Sequence, residues 1–279
     1  MKRNGKGTTN LLCWLCRLSL KTSITTNLSG VLASKGQKVL IIDTDNQGNA
    51  ALSFGKNPDS FEYTTYDVLV DGLAAEMAIS NVYQDITGGK IDLLGSNDDM
   101  AFLDFDVLTQ REKYPEPFLL LKNAVSHLKN DYDFILIDSP PNLGLITGNV
   151  LSFADEVIIP FQPESYSMRS LVKILQSIHN FREQYNKKLS VLGIVATLVD
   201  TRTTLHSQVL QECRKYCYEN GIQMFETVIP RSVRFASSVA YEGLPATLSS
   251  DKSNKIVRSY YDLLQEIEER KGVQFGSKK

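Results

Sequence analysis

Three clusters in this chain combine residue types that handle phosphate, a divalent cation or an attacking water. The segment Asp43-Thr44-Asp45-Asn46-Gln47-Gly48-Asn49 sets two carboxylates among amides directly after an apolar run. Acids at i and i+2 can hold Mg²⁺ through water or orient a water for attack, although the same residues also build ordinary polar turns. The second cluster is Asp133-Phe-Ile-Leu-Ile-Asp138-Ser-Pro140-Pro141-Asn-Leu-Gly144, four apolar residues running into an acid and a rigid double proline. That is the shape of a strand whose terminal Asp organises the Mg²⁺ shell in nucleotide hydrolases. The third is Lys21-Thr22-Ser23, at the start of a helical pattern and 22 residues before Asp43. A lysine followed by hydroxyls at a helix N-terminus suits phosphate, because the ammonium, the hydroxyl and the free N–H groups all face the anion. An N-capping hydroxyl cluster reads the same way on this tripeptide alone.

These residues need a scaffold that brings strand ends together. Short apolar runs recur at Val39–Asp43, Ile91–Leu94, Phe134–Asp138, Val157–Pro160, Val191–Val195 and Thr227–Pro230. Continuous rather than alternating apolar character predicts strands covered on both faces, as in a parallel sheet. Between them, spacings of i, i+3, i+4 predict helices over Thr22–Ser34, Phe118–Leu128, Ser167–Tyr185, Leu205–Glu219 and Ile256–Arg270. Residues 56–115 are the least regular and read as insertions on the sheet's edge. The alternation implies a doubly wound α/β sheet with ligands beyond the carboxyl ends of its strands, where Asp43, Asp138, Pro160 and Pro230 fall.

Composition narrows the class further. With 279 residues, 42% hydrophobic and 22% charged, the chain can bury a substantial core, which excludes disorder and a collagen-like fibre. A net charge of −2 advertises no bulk attraction to nucleic acid. No apolar run reaches the roughly 18 residues a bilayer span needs. Four cysteines, Cys13, Cys16, Cys213 and Cys217, make no disulfide framework in so long a chain, and reduced thiols are expected. Cys213 and Cys217 fall on one face of a predicted helix, where buried thiols are the expectation rather than metal ligands. His127, His179 and His206 are scattered on helices and suggest neither catalysis nor ligation.

Order and spacing of the clusters make the chain resemble the ParA/Soj branch of the deviant Walker A ATPases, which partition plasmids and chromosomes. The resemblance runs from Lys21 to about Glu268 through KTSITTNLSGVLASKGQKVLIIDTDNQGNAALSFG, DYDFILIDSPPNLGLIT, VIIPFQPESYSMRSL, GIVATLVDTRTTLHSQVLQE and TVIPRSVRFASSVAYEGLPA. It implies a P-loop fold, ATP and Mg²⁺ as ligands, homodimerisation with nucleotide bound, non-specific DNA binding, a ParB-type centromere-binding partner and a cytoplasmic, nucleoid-associated location without membrane attachment. It implies Lys21 as the phosphate-loop lysine, Thr22 as Mg²⁺ ligand and Ser23 as a further phosphate contact. Asp45 matches the water-positioning residue, with Asp43 beside it. Asp138 matches the acid that holds Mg²⁺ through water. Pro230 falls where the family packs around adenine, and Arg202 and Arg234 match its DNA-backbone arginines. Both arginines are expected in loops.

One segment departs from the pattern. The family's loop reads K-G-G-x-G-K-[ST], and alignment on Lys21 sets Cys16, Arg17, Leu18, Ser19 and Leu20 where lysine, glycine, glycine, any residue and glycine belong. The first 42 residues hold seven basic residues and no acid, and Met1–Trp14, where the first strand is expected, shows no family-like pattern. Gly5-Lys6-Gly7-Thr8-Thr9 lacks the four-residue spacer of a phosphate loop. The organisation is therefore read as an atypical segment 1–20, which reads like another frame or a rearranged gene end, a nucleotide-hydrolase domain 21–270 and a tail 271–279. The expectation is family fold with impaired ATP binding and hydrolysis. The alternatives are a nucleotide-independent DNA- or partner-binding relative and a MinD-like membrane-cycling regulator. The acidic C-terminal helix argues against the latter, which needs a basic amphipathic helix.

Overall fold

Apolar residues of opposite parity on the same strands pack against opposite layers of helices, and this divides the core in two. Leu40, Ile42, Ile135 and Ile137 face one layer, and Val39, Ile41, Phe134 and Leu136 face the other. The computed structural model describes residues 10–14, 20–200, 202–250 and 254–272. Its strands are β1 (Asn10–Trp14), β2 (Lys38–Asp43), β3 (Ile79–Gln84), β4 (Lys90–Leu94), β5 (Phe134–Asp138), β6 (Glu156–Phe161), β7 (Ser190–Val199) and β8 (Met224–Pro230). They form one sheet in the order β3-β4-β2-β5-β1-β6-β7-β8, parallel at every pairing except β3 with β4.

The helices are α1 (Lys21–Ser34), α2 (Asn49–Ser53), α3 (Ala75–Ala78), α4 (Leu103–Thr109), α5 (Leu120–Val125), α6 (Leu145–Phe153), α7 (Ser167–Gln184), α8 (Thr204–Glu219), α9 (Arg234–Glu242) and α10 (Lys255–Lys271). Helices α4 to α8 cover one face, and α1, α2, α9 and α10 the other. Their ends follow local chemistry: Thr203 and Asn254 cap α8 and α10 through their side chains, and α10 stops at Gly272 in the left-handed region.

The doubly wound sheet is as the sequence predicts, with three differences. Asn10–Trp14, within the segment read as having no family-like pattern, forms a central strand, in parallel register with both β5 and β6. Its run Leu11-Leu12-Cys13-Trp14 is continuously apolar, the character of a doubly covered strand, and lacks only β-branched residues. The expected helix Phe118–Leu128 divides into α5 and a 3₁₀ turn at Ser126–Asn130. The irregular region 56–115 contributes the antiparallel edge strand β3. Residues 1–9, including the glycine-lysine segment, the loop Cys16–Ser19 and the last seven residues of the tail lie outside the described residues.

Candidate functional site

Asp43 and Asp138 are register partners at the carboxyl ends of β2 and β5, and Trp14 of β1 stands level with Asp138 on the other side. The chain leaves β1 at this edge and re-enters at Leu20, which takes φ 88° and ψ 5° immediately before α1. This left-handed conformation brings the Cβ of an L-residue against the following carbonyl, at about 1–2 kcal/mol. It is the position at which the family pattern has glycine. Without a side-chain cap at Leu20, the first N–H groups of α1 have no intrahelical partners and open toward the strand ends.

The two aspartates differ. Asp43 Oδ1 accepts from the Asp45 N–H at 3.0 Å and Oδ2 from the Ala50 N–H at 3.1 Å, so its carboxylate is used in holding the turn and the start of α2. The Thr65 hydroxyl donates to the Asp43 carbonyl at 2.7 Å from behind. Asp138, 1% exposed, accepts no backbone N–H. Burial pushes the Asp138 carboxyl up to about 7; the nearby Thr22 hydroxyl and the Lys21 ammonium pull it back, and Asp45 adds repulsion. Asp43 is also raised well above the usual carboxylate range, by burial first and by Asp138 second, against the pull of its two N–H donors.

A cleft of about 800 Å³ opens at this edge. Leu20, Lys21, Thr22 and Ser23 form one wall, Asp45 and Asn49 the floor of the turn, and Pro141 follows from the loop after Asp138. The opposite wall is Ser232, Phe235, Ala236 and Val239 around the start of α9, together with Leu198. The Lys21 side chain is largely enclosed, at 7% exposure for the residue. Ser23 lines the cleft, and its hydroxyl stands 3.3 Å from the buried Tyr260 hydroxyl. Sequence reading missed α9 as a wall and Leu198, whose φ of 53° falls at a bulge between β7 and β8. The one available signal was the apolar spacing Phe235, Val239.

Three comparisons bear on this arrangement. Residues 19–191 match the AAA domain family. A ParA family protein of Mycoplasma pneumoniae is 32% identical over 256 residues, 89% of this chain and 92% of that one. The chromosome-partitioning ATPase Soj of Treponema pallidum is 33% identical over 252 residues, 90% of this chain and 93% of its own. The chain belongs to the ParA/Soj family of partitioning ATPases. The structure of cobyrinic acid a,c-diamide synthase from Mycobacterium smegmatis, with bound ATP analog and magnesium, shares the fold at a TM-score of 0.75 and 26% identity, covering 96% of this chain and 98% of that one.

Of the remaining ParA/Soj positions, Pro230 ends β8 opposite Val199, at the same edge of the sheet, and the cleft wall begins two residues later. Arg202 lies in the expected loop before α8; its side chain is 87% exposed and paired with Asp200 through Nε at 2.9 Å and Nη2 at 2.7 Å. Arg234 is corrected: it is the first residue of α9, with Nε buried, because the turn Arg231-Ser-Val closes into a helix one residue sooner than a loop reading allows. Arg231, which sequence reading passed over, is exposed beside it. Cys213 and Cys217 are buried one turn apart on α8, as the periodicity predicts, and the Cys213 thiol is held far above its ordinary pKa by the contact with Cys217 and by burial.

Proposed function

We propose that this chain is a ParA-type ATPase in the layout of its site, with affinity for ATP and Mg²⁺ lowered by its own phosphate loop. The observation that carries the reading is the buried carboxylate of Asp138, which accepts no backbone N–H and is held beside the Thr22 hydroxyl and the Lys21 ammonium. Burying an acid is unfavourable unless a cation compensates it. A carboxylate, a hydroxyl and a lysine at a helix N-terminus form a donor set suited to Mg²⁺ and phosphate. Thr22 would hold the ion directly and Asp138 through water; when bound, the ion neutralises charge on the phosphate oxygens. Lys21 would contact phosphate, Asp45 would position a water, and Asp43 would keep the turn that carries Asp45 in place.

By type, Arg17, Leu18 and Leu20 stand where the family has glycine, which suits phosphate poorly. Leu20 adopts a glycine conformation with a side chain that lines the cleft. Each charge-assisted N–H contact forfeited removes roughly 1.5–3 kcal/mol, so two lost contacts weaken nucleotide binding by on the order of 10²-fold or more. With nucleotide bound, the chain works as a homodimer on the nucleoid, binds DNA without sequence preference through exposed Arg202 and through Arg234, and answers to a ParB-type partner. The buried apolar face of α10, Val257, Tyr260, Leu263 and Ile267, argues against a membrane-cycling role, since it is spent on the core. Among the described residues no helix is long and apolar enough to cross a membrane.

Titration with a fluorescent ATP analogue, with and without Mg²⁺, tests the reading. Weak, Mg²⁺-dependent binding abolished in Asp138→Ala supports it. Hydrolysis stimulated by DNA plus partner separates it from a nucleotide-independent binding module, which shows none.

A further inference from the structure

Phe102, Phe105 and Leu108 follow at three-residue spacing through the 3₁₀ turn Asp98–Phe102 and α4, and are 60%, 69% and 46% exposed. Leu103 and Val107 of the same helix are buried in the core. The helix is thus apolar on two sides and buries only one of them. Single exposed apolar residues are ordinary, but three large ones in one stripe mark an interaction surface.

The charge around the stripe is mainly acidic, with Lys113 at its border interacting with Asp106 and Asp71. Between Gly95 and Gln110 the chain carries Asp98, Asp99, Asp104 and Asp106 and no basic residue. The Tyr66 hydroxyl donates to Asp106 at 2.6 Å and is kept un-ionised by Asp106, with Asp71 and Asp99 adding to the same field, so these acids form one patch in space. Asp104 stands 3.2 Å from where a Cβ on Gly144 would lie, which sets α4 against the loop that follows Asp138, and Leu143 of that loop is 53% exposed.

We infer that the outer face of α4 docks a basic amphipathic segment of a partner protein, apolar side chains on Phe102, Phe105 and Leu108 and lysines or arginines on the acidic rim. Charge selects this occupant: a second copy docked through the same face would bring acid against acid, and an anionic lipid surface would be repelled. The site adjoins the Ser139–Gly144 loop, so a bound segment sits where it can bear on the carboxyl end of β5. The inference rests on the partner half of the proposed function and stands apart from its nucleotide half.

The test uses a labelled Lys/Leu peptide with leucines at i, i+3, i+4, i+7 and a Glu/Leu counterpart, titrated into the full chain by fluorescence anisotropy at two salt concentrations. The Lys/Leu peptide should bind, at least tenfold more weakly to F102S/F105S and to D99N/D104N, with salt reducing the difference for the latter; the Glu/Leu peptide should not bind. Unchanged thermal melting of both variants shows that they fold. Equal affinity for wild type and F102S/F105S overturns the site, as does a fall in oligomeric mass in that variant, which would assign the face to a second copy. A purified ParB-type protein that binds wild type and F102S/F105S alike overturns the docking site and leaves the partner reading standing; failure to bind wild type while the peptide result holds overturns the partner reading alone.

Discussion

Asp43 and Asp138 stand level on adjacent strands, yet Asp43 accepts two backbone N–H groups while Asp138 accepts none. One acid is built into the turn, and the other is held beside the Thr22 hydroxyl and the Lys21 ammonium.

That difference gives a pH dependence. The Asp138 carboxyl titrates at about 7 in the folded chain against 3.8 ordinarily. The folded state keeps a proton that the unfolded state releases above pH about 4, so this group's contribution to stability is full below that and is lost as pH rises through about 7. In EDTA, melting of Asp138→Asn between pH 5 and 8.5 should depend on pH less steeply than wild type, with the variant more stable at the alkaline end. Parallel curves would contradict the assignment; Asp43, raised in the same direction, accounts for the slope that remains.

Gly48 fixes the turn that carries Asp45. It has φ +60°, and a Cβ there would stand 2.6 Å from Pro58 Cβ and 2.7 Å from the Ser96 carbonyl oxygen. Gly48→Ala combines left-handed strain with overlap against backbone and should destabilise by about 2–4 kcal/mol. Urea unfolding at pH 7 measures it; a change below the error of the fit would contradict the close approach.

In the proposed DNA-binding role, Arg202 would have to exchange its bidentate pair with Asp200 for phosphate. The bidentate pair is solvent-exposed, and Arg202 holds the Asp200 carboxyl well below the usual carboxylate range. Arg202→Ala should leave melting nearly unchanged, weaken binding of random-sequence duplex and lower the salt slope by about 1. Asp200→Ala should do the opposite and tighten binding by freeing the guanidinium. Duplex affinity unchanged in both variants would remove Arg202 from the DNA surface.

Much of this could be read before any fold was in view, and the omissions have physical reasons. The strand Phe134–Asp138 agrees at both ends because four buried β-branched or large apolar residues run straight into a charged one. Helix α6 escaped notice because every residue from Leu145 to Phe153 is buried, which leaves no polar face to set a period. β3 escaped because its residues are half-exposed and a bulge between Asn81 and Tyr83 breaks the alternation. The site acids and Lys21 were legible from type and spacing. That Asp43 is tied up by the Asp45 and Ala50 amides was not, because backbone partners leave no trace in residue type.

That bulky side chains ahead of Lys21 disable an otherwise intact nucleotide cleft is tested most directly by titrating a fluorescent ATP analogue with Mg²⁺ into wild type, Leu20→Gly and the triple variant Arg17→Gly, Leu18→Gly, Leu20→Gly. Wild type should bind on the order of 10²-fold more weakly than the triple variant, with Leu20→Gly in between and more stable than wild type by about 1 kcal/mol. Equal affinities across the three, or micromolar Mg²⁺-dependent binding by wild type, would contradict it.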